Sequence, residues 1–122
     1  MRESGKRPEA MLPLKELERL VLLALEEEPQ HGYRLLTRVA ERSGGFVAPG
    51  PASLYRALSE LEGAGVLEEA DGFAAADSED ARRKYFRLTP FGRAVLRAEL
   101  SRLAALLAGA RGQGIRFEGG GR

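Results

Sequence analysis

A mostly α fold with a small β wing is predicted by three features of the chain. Two short amphipathic segments, opened by Pro29-Gln30-His31-Gly32-Tyr33 and by Ala52-Ser53-Leu54-Tyr55-Arg56-Ala57-Leu58, stand one loop apart. Gly65-Val66-Leu67 follows, then a polar insertion, the basic triplet Arg82-Arg83-Lys84 and Tyr85-Phe86-Arg87-Leu88. Thr89-Pro90 then opens a helix whose leucines recur at heptad spacing. Helix, helix, strand, basic turn, strand is the order of a winged helix-turn-helix, here extended by a C-terminal dimerisation helix.

Residues 1–11 are polar with Gly and Pro and are expected to be a disordered arm. Pro13 is expected to start the first helix. Leu14, Leu17, Val21, Ala24 and Leu25 form one stripe on a 3.6-residue period, and Leu20 and Leu23 widen it to about half the circumference. So wide a face exceeds what one small domain covers. Glu26-Glu27-Glu28-Pro29 ends the helix, with like charges at the negative end of its dipole and then a proline stop.

The second helix spans about His31 to Ser43, with Leu35, Leu36, Val39 and Ala40 inward and Arg34, Arg38 and Arg42 recurring outward. Gly44-Gly45 terminates it. Pro51 fits the first turn of the third helix, which buries Leu54, Leu58 and Leu61 and stops at Gly63-Ala64-Gly65. Its opposite face carries Ala52, Arg56 and Ser59, flanked by Ser53, Tyr55 and Glu60. Val66 to Glu69 and Lys84 to Leu88 are the wing strands. The tip lies at Asp71-Gly72 or between Asp77 and Ala81, and pattern alone leaves the register open.

Thr89 caps the last helix and Pro90 takes its first position. Phe91, Ala94, Val95 and Ala98 share one side, while Leu96, Leu100, Leu103 and Leu107 are spaced as a heptad seam on the other. One face can pack on its own domain; the second calls for another chain. Residues 109–122 are too glycine-rich to fold alone. The expected organisation is therefore an arm at 1–11, the winged domain at 12–88, a dimerisation helix at 89–108 and a flexible tail at 109–122.

The chain has 122 residues, which suits one domain, and no Cys, which removes disulfides, zinc fingers and thiol nucleophiles. No apolar run approaches the roughly 20 residues of a membrane span, and no apolar stretch follows the basic N-terminus as in a signal peptide, so a cytoplasmic protein is expected. The net charge is only +1, but it is unevenly spread. Leu14 to Glu28 holds two basic and five acidic residues, whereas Arg82 to Arg102 holds seven basic residues and one acid, Glu99. Such asymmetry suits a footprint on phosphates. Of the basic residues 16 are Arg, which a GC-rich genome also explains, so the excess carries little weight.

Arg56 and Ser59 stand where a recognition helix meets base edges; Ser53 and Tyr55 lie near its start, where hydroxyls meet phosphate. Tyr55 equally suits a place against the core. Arg82, Arg83 and Lys84 at the wing base are phosphate or minor-groove candidates, unless they neutralise Asp77, Glu79 and Asp80. Arg34 and Arg38 either brace the backbone or form a solvated face. His31, the only histidine, suits a structural role at a helix start. No catalytic cluster, metal-ligand set or phosphate-cradling glycine loop is present, so neither an enzyme nor a cofactor is expected. The dimerisation candidates are Leu20, Leu23, Leu96, Leu100, Leu103 and Leu107.

Leu22-Leu23-Ala24-Leu25 before Pro29, His31-Gly32-Tyr33-Arg34-Leu35, Ser53-Leu54-Tyr55-Arg56-Ala57-Leu58, Leu61-Glu62 with Gly65-Val66-Leu67, and Arg82-Arg83-Lys84-Tyr85-Phe86-Arg87-Leu88-Thr89 with Gly92 fall in one order over roughly residues 12–108. In this the chain resembles the short form of the PadR family of bacterial transcriptional regulators. The resemblance implies a homodimer, held by its first and last helices, that binds a palindromic operator in double-stranded DNA and represses. It also implies release by a small-molecule effector. The chain has no Trp, so a tryptophan-lined drug pocket does not carry over. The last-helix seam is lined by Leu and Ala with no evident buried charge, which points to an apolar or aromatic effector. The alternative is a winged-helix protein-interaction module without DNA affinity, favoured by the slightly acidic core and by Glu60 on helix three.

Overall fold

Leu20, Val21, Leu22, Ala24 and Leu25 are all buried on one helix, α1 (Glu16–Glu27), which therefore runs through the middle of the core. The computed structural model describes residues 6–70 and 84–119. Around α1 are arranged α2 (Gly32–Arg42), α3 (Pro51–Gly63) and α4 (Pro90–Gly112), with an antiparallel sheet of β1 (Gln30–His31), β2 (Leu67–Ala70) and β3 (Tyr85–Leu88) in the order β1-β3-β2. Leu35 and Val39 of α2, Leu54, Leu58 and Leu61 of α3, Phe86 and Leu88 of β3, and Val95 and Leu96 of α4 complete one cluster. The fold class is the one expected: mostly helical with a small wing.

Three boundaries differ from the sequence reading. Pro13 lies ahead of α1, in an extended lead that buries Leu14; the helix begins where the Glu18 carboxylate accepts the Lys15 N–H at 3.0 Å. Pro8–Met11, expected in a disordered arm, forms a turn of 3-10 helix beside α4, with Met11 and Leu12 half-buried against the core. At the other end α4 continues past residue 108 to Gly112. The chain then turns back, because Arg111 donates to the carbonyls of Phe117 (3.4 Å) and Gly119 (3.0 Å) and lies 4.0 Å over the Phe117 ring.

Strand β1 was not foreseen, since two residues are too few for an alternating pattern. Gln30 pairs with Phe86 and His31 with Tyr85, which places the start of α2 on the wing sheet. Gln30 is buried and its side-chain amide donates to the Ala24 carbonyl at 2.7 Å, tying β1 to α1. The register left open by the sequence is Leu67 with Leu88 and Glu68 with Arg87. Residues 71–83, with both proposed wing tips, lie outside the described residues.

Thr89 caps α4 as expected: its hydroxyl accepts the Gly92 N–H at 2.9 Å and donates to the Gly65 carbonyl at 2.6 Å. Gly92 has a steric reason. A Cβ there would overlap the Val66 carbonyl oxygen and stand 2.9 Å from its carbon, so α4 meets the β2 entry backbone to backbone. That close approach sets the angle at which α4 leaves the winged domain.

Candidate nucleic-acid interface

Helix α3 is amphipathic in the expected sense. Leu54, Ala57, Leu58 and Leu61 are buried, and Ser53, Tyr55, Arg56 and Ser59 are exposed on the opposite side. Gly50 precedes the helix without a side-chain cap and Pro51 fills its first turn, so the leading N–H groups of α3 are not occupied by a capping side chain. Arg56 makes no ion pair among the described residues. Tyr55 is 47% exposed, and its ring lies against Gly32 on the first turn of α2.

The arginine stripe of α2 divides. Arg38 reaches Glu27 at 3.6 Å and Glu28 at 4.0 Å, and Arg42 pairs with Glu27 as well. Arg34 is exposed and makes no ion pair with a described residue. Arg93 of α4 joins the same acidic run through Glu26 at 3.6 Å. Three consecutive carboxylates at the negative end of the α1 dipole would repel one another if left alone; arginines from α2 and α4 offset them. At the wing base Lys84 pairs with Glu69 at 3.3 Å and Arg87 with Glu68 at 2.9 Å. Arg82 and Arg83, like Asp77, Glu79 and Asp80, lie outside the described residues.

His31 has the structural role expected of it. Its Nδ1 accepts the Arg34 N–H at 3.1 Å as the α2 cap, and its ring meets Tyr85 edge-on at 5.1 Å. Among the described residues no three His, Cys, Asp or Glu side chains gather as a metal site would need, and no helix is long and apolar enough to cross a membrane.

The six dimerisation candidates separate by burial. Leu20 and Leu96 are 7% and 4% exposed, within the chain's own core, and Leu23 and Leu103 are half-buried. Leu100 and Leu107 remain exposed, joined by Leu106, which is 62% exposed and falls outside the heptad spacing. A groove of about 570 Å³ lies beside them, lined chiefly by Ala104, Leu107, Ala108, Arg111 and Phe117.

Glu99 is a buried charge within the chain that the sequence reading did not single out. Its side chain is fully buried, accepting from Arg102 Nε at 2.8 Å and from Arg19 Nε at 2.9 Å across the α1–α4 contact. The Arg102 hydrogen bond, aided by Arg19, holds the carboxyl below the usual carboxylate range against the opposing effect of burial. The signal was present: Glu99 follows Val95 and Leu96 by four and three residues, on their stripe, and is the lone acid in a basic stretch.

The family model for the transcriptional regulator PadR-like family matches residues 21–98, from α1 to the first half of α4. The chain belongs to this family. A PadR family transcription regulator from Clostridium difficile superposes with a TM-score of 0.68 at 22% identity, covering 80% of this chain and 96% of that one. A PadR-like transcriptional regulator from Bacillus cereus gives 0.67 at 20% identity, covering 83% and 93%. In sequence the chain is also similar to an uncharacterized 37.1 kDa protein in transposon TN4556 of Streptomyces fradiae. They are 37% identical over 87 residues, which is 71% of this chain and 23% of that relative's length. The PadR-like match spans the α3 face described above, and its members are transcriptional regulators rather than enzymes.

Proposed function

We propose that this chain is a sequence-specific regulator that lays α3 in the major groove of a palindromic operator, acts as a homodimer, and represses. The observation that carries the reading is the exposed face of α3, with Ser53, Tyr55 and Ser59 around an Arg56 that makes no ion pair among the described residues. Arg56 is assigned to a guanine edge and the hydroxyls to phosphate. Arg34 and Lys84 belong to the backbone footprint with Arg82 and Arg83; Arg38 joins only by leaving Glu27 and Glu28. Leu100, Leu103 and Leu107 supply the dimer face together with Leu106, which the exposure of three of these leucines supports. The groove beside them, within the size range of small-ligand sites, is where an apolar or aromatic effector would bind and release DNA.

The test is fluorescence anisotropy with a duplex selected by the wild-type chain from a random library. Arg56→Ala is expected to cost about 1–3 kcal/mol and to relax preference at one half-site position. Equal loss on every duplex reassigns Arg56 to phosphate, and no loss removes α3 as the reading element. The internal pairing of Arg38, Arg42, Lys84 and Arg87 gives the protein-interaction reading its support. Steep weakening between about 50 and 200 mM salt decides against it.

A further inference from the structure

Helix α2 opens on a glycine that its backbone does not require. Gly32 is not among the residues with positive φ, and a glycine in ordinary helical geometry is a poor helix former. What it lacks is space. A Cβ on Gly32 would overlap the Tyr55 hydroxyl oxygen and stand 2.6 Å from Cζ and 2.8 Å from Cε1. The phenol of α3 therefore rests on a bare Cα of α2, its far end held while the residue stays 47% exposed. Beside it the first turn of α2 carries no acid and presents Arg34.

We propose that Gly32 is a positioning residue for DNA contact: its missing side chain seats the Tyr55 phenol across the α2–α3 crossing and so fixes where that hydroxyl meets the phosphate backbone. The proposal rests on the DNA-binding reading above. A tyrosine free to swing would donate to phosphate only after losing that freedom; one already seated pays little entropy on binding. The seat also fixes the hydroxyl relative to Arg56, the next residue on α3, so one element sets both register and reading. An added methyl at Gly32 must move the ring, because the obstructing atoms belong to the rigid aromatic end of the side chain.

The experiment is a double-mutant cycle with Gly32→Ala and Tyr55→Ala, with Tyr55→Phe alongside, read by anisotropy on the wild-type-selected duplex and by thermal melting. Gly32→Ala and Tyr55→Ala are each expected to weaken binding about tenfold, and the double variant to bind no more weakly than Tyr55→Ala alone. Tyr55→Phe, which keeps the ring seated but lacks the hydroxyl, should bind as weakly as Tyr55→Ala. Should Gly32→Ala fail to fold, Tyr55→Ala must restore folding by clearing the seat. The proposal is overturned by wild-type binding in Gly32→Ala, by a Gly32 effect that persists undiminished without the Tyr55 ring, or by a double variant that stays unfolded. A wild-type chain that selects no duplex overturns the DNA-binding reading itself, which is a separate result.

Discussion

Glu99 and Glu27 each collect two arginines, yet they stand in opposite surroundings. Glu99 joins Arg19 and Arg102 with its carboxylate fully buried between α1 and α4; Glu27 joins Arg38 and Arg42 at the end of α1 with 41% of its side chain exposed. At Glu99 burial has removed the carboxylate from water, and three hydrogen bonds from the two arginines offset that cost. At Glu27 water competes with every contact and the net gain is small. The same chemistry thus holds the fold together in one place and only withholds arginines from other partners in the other.

The largest effect expected from this contrast is on Glu99→Ala, which leaves Arg19 without its strongest partner at the α1–α4 contact. Urea unfolding should show a loss of about 1–3 kcal/mol, since Arg102 can turn to water and Arg19 keeps Glu16 and the Leu14 carbonyl. A loss below about 1 kcal/mol would erase the distinction between the two carboxylates.

Acid should reveal the same difference. Because the folded-state pKa of Glu99 is lowered, the unfolded chain binds the proton more readily. The stability it contributes is complete above the ordinary carboxylate pKa and is lost as pH falls from about 5 through that range toward the folded value. Glu99→Gln should flatten this acid limb in thermal melts at stepped pH, and an unchanged limb would assign acid sensitivity to other carboxylates.

The smallest stability effect, about 0–1 kcal/mol, is expected for Glu27→Ala with Glu28→Ala. Its consequence lies elsewhere: Arg38 and Arg42 become available to phosphate, so DNA affinity should rise several-fold and the salt slope steepen by about one to two. Unchanged affinity would show that the α2 stripe lies outside the footprint.

The helix order, the Thr89-Pro90 start of α4, a structural place for His31 at a helix start and the amphipathic α3 were legible because each depends on residues within a turn or two. Hydrophobic period, cap chemistry and proline geometry act over that range, and the local signals agree with one another. The start of α1 went astray because a proline marks a permitted start, and the Glu18 side chain settled the actual one. Of the heptad seam, Leu96 alone is buried in the chain's own core. Heptad spacing treats α4 as a free rod, whereas Gly92 brings the helix onto the Val66 carbonyl and buries Leu96 in its own domain, leaving Leu106 outward.

Tertiary structure alone decided which charges are free. The sequence sets sixteen arginines in the chain and local pairs such as Arg102 with Glu99 and Arg19 with Glu16, but other ion pairs join side chains far apart in sequence. Arg19 finds Glu99 only when α1 lies on α4, and Arg38 finds Glu27 only when α2 folds back on α1. Charge is a property of the residue, and its availability is a property of what packs beside it. The sequence by itself determined the order of the four helices and the two wing strands, the face of α3 that is apolar and the face that carries Arg56. The packing brought Arg19 to Glu99, beside the Arg102 that the helix itself supplies three residues on, and buried the carboxylate, because distance across elements and burial exist only once the helices have met.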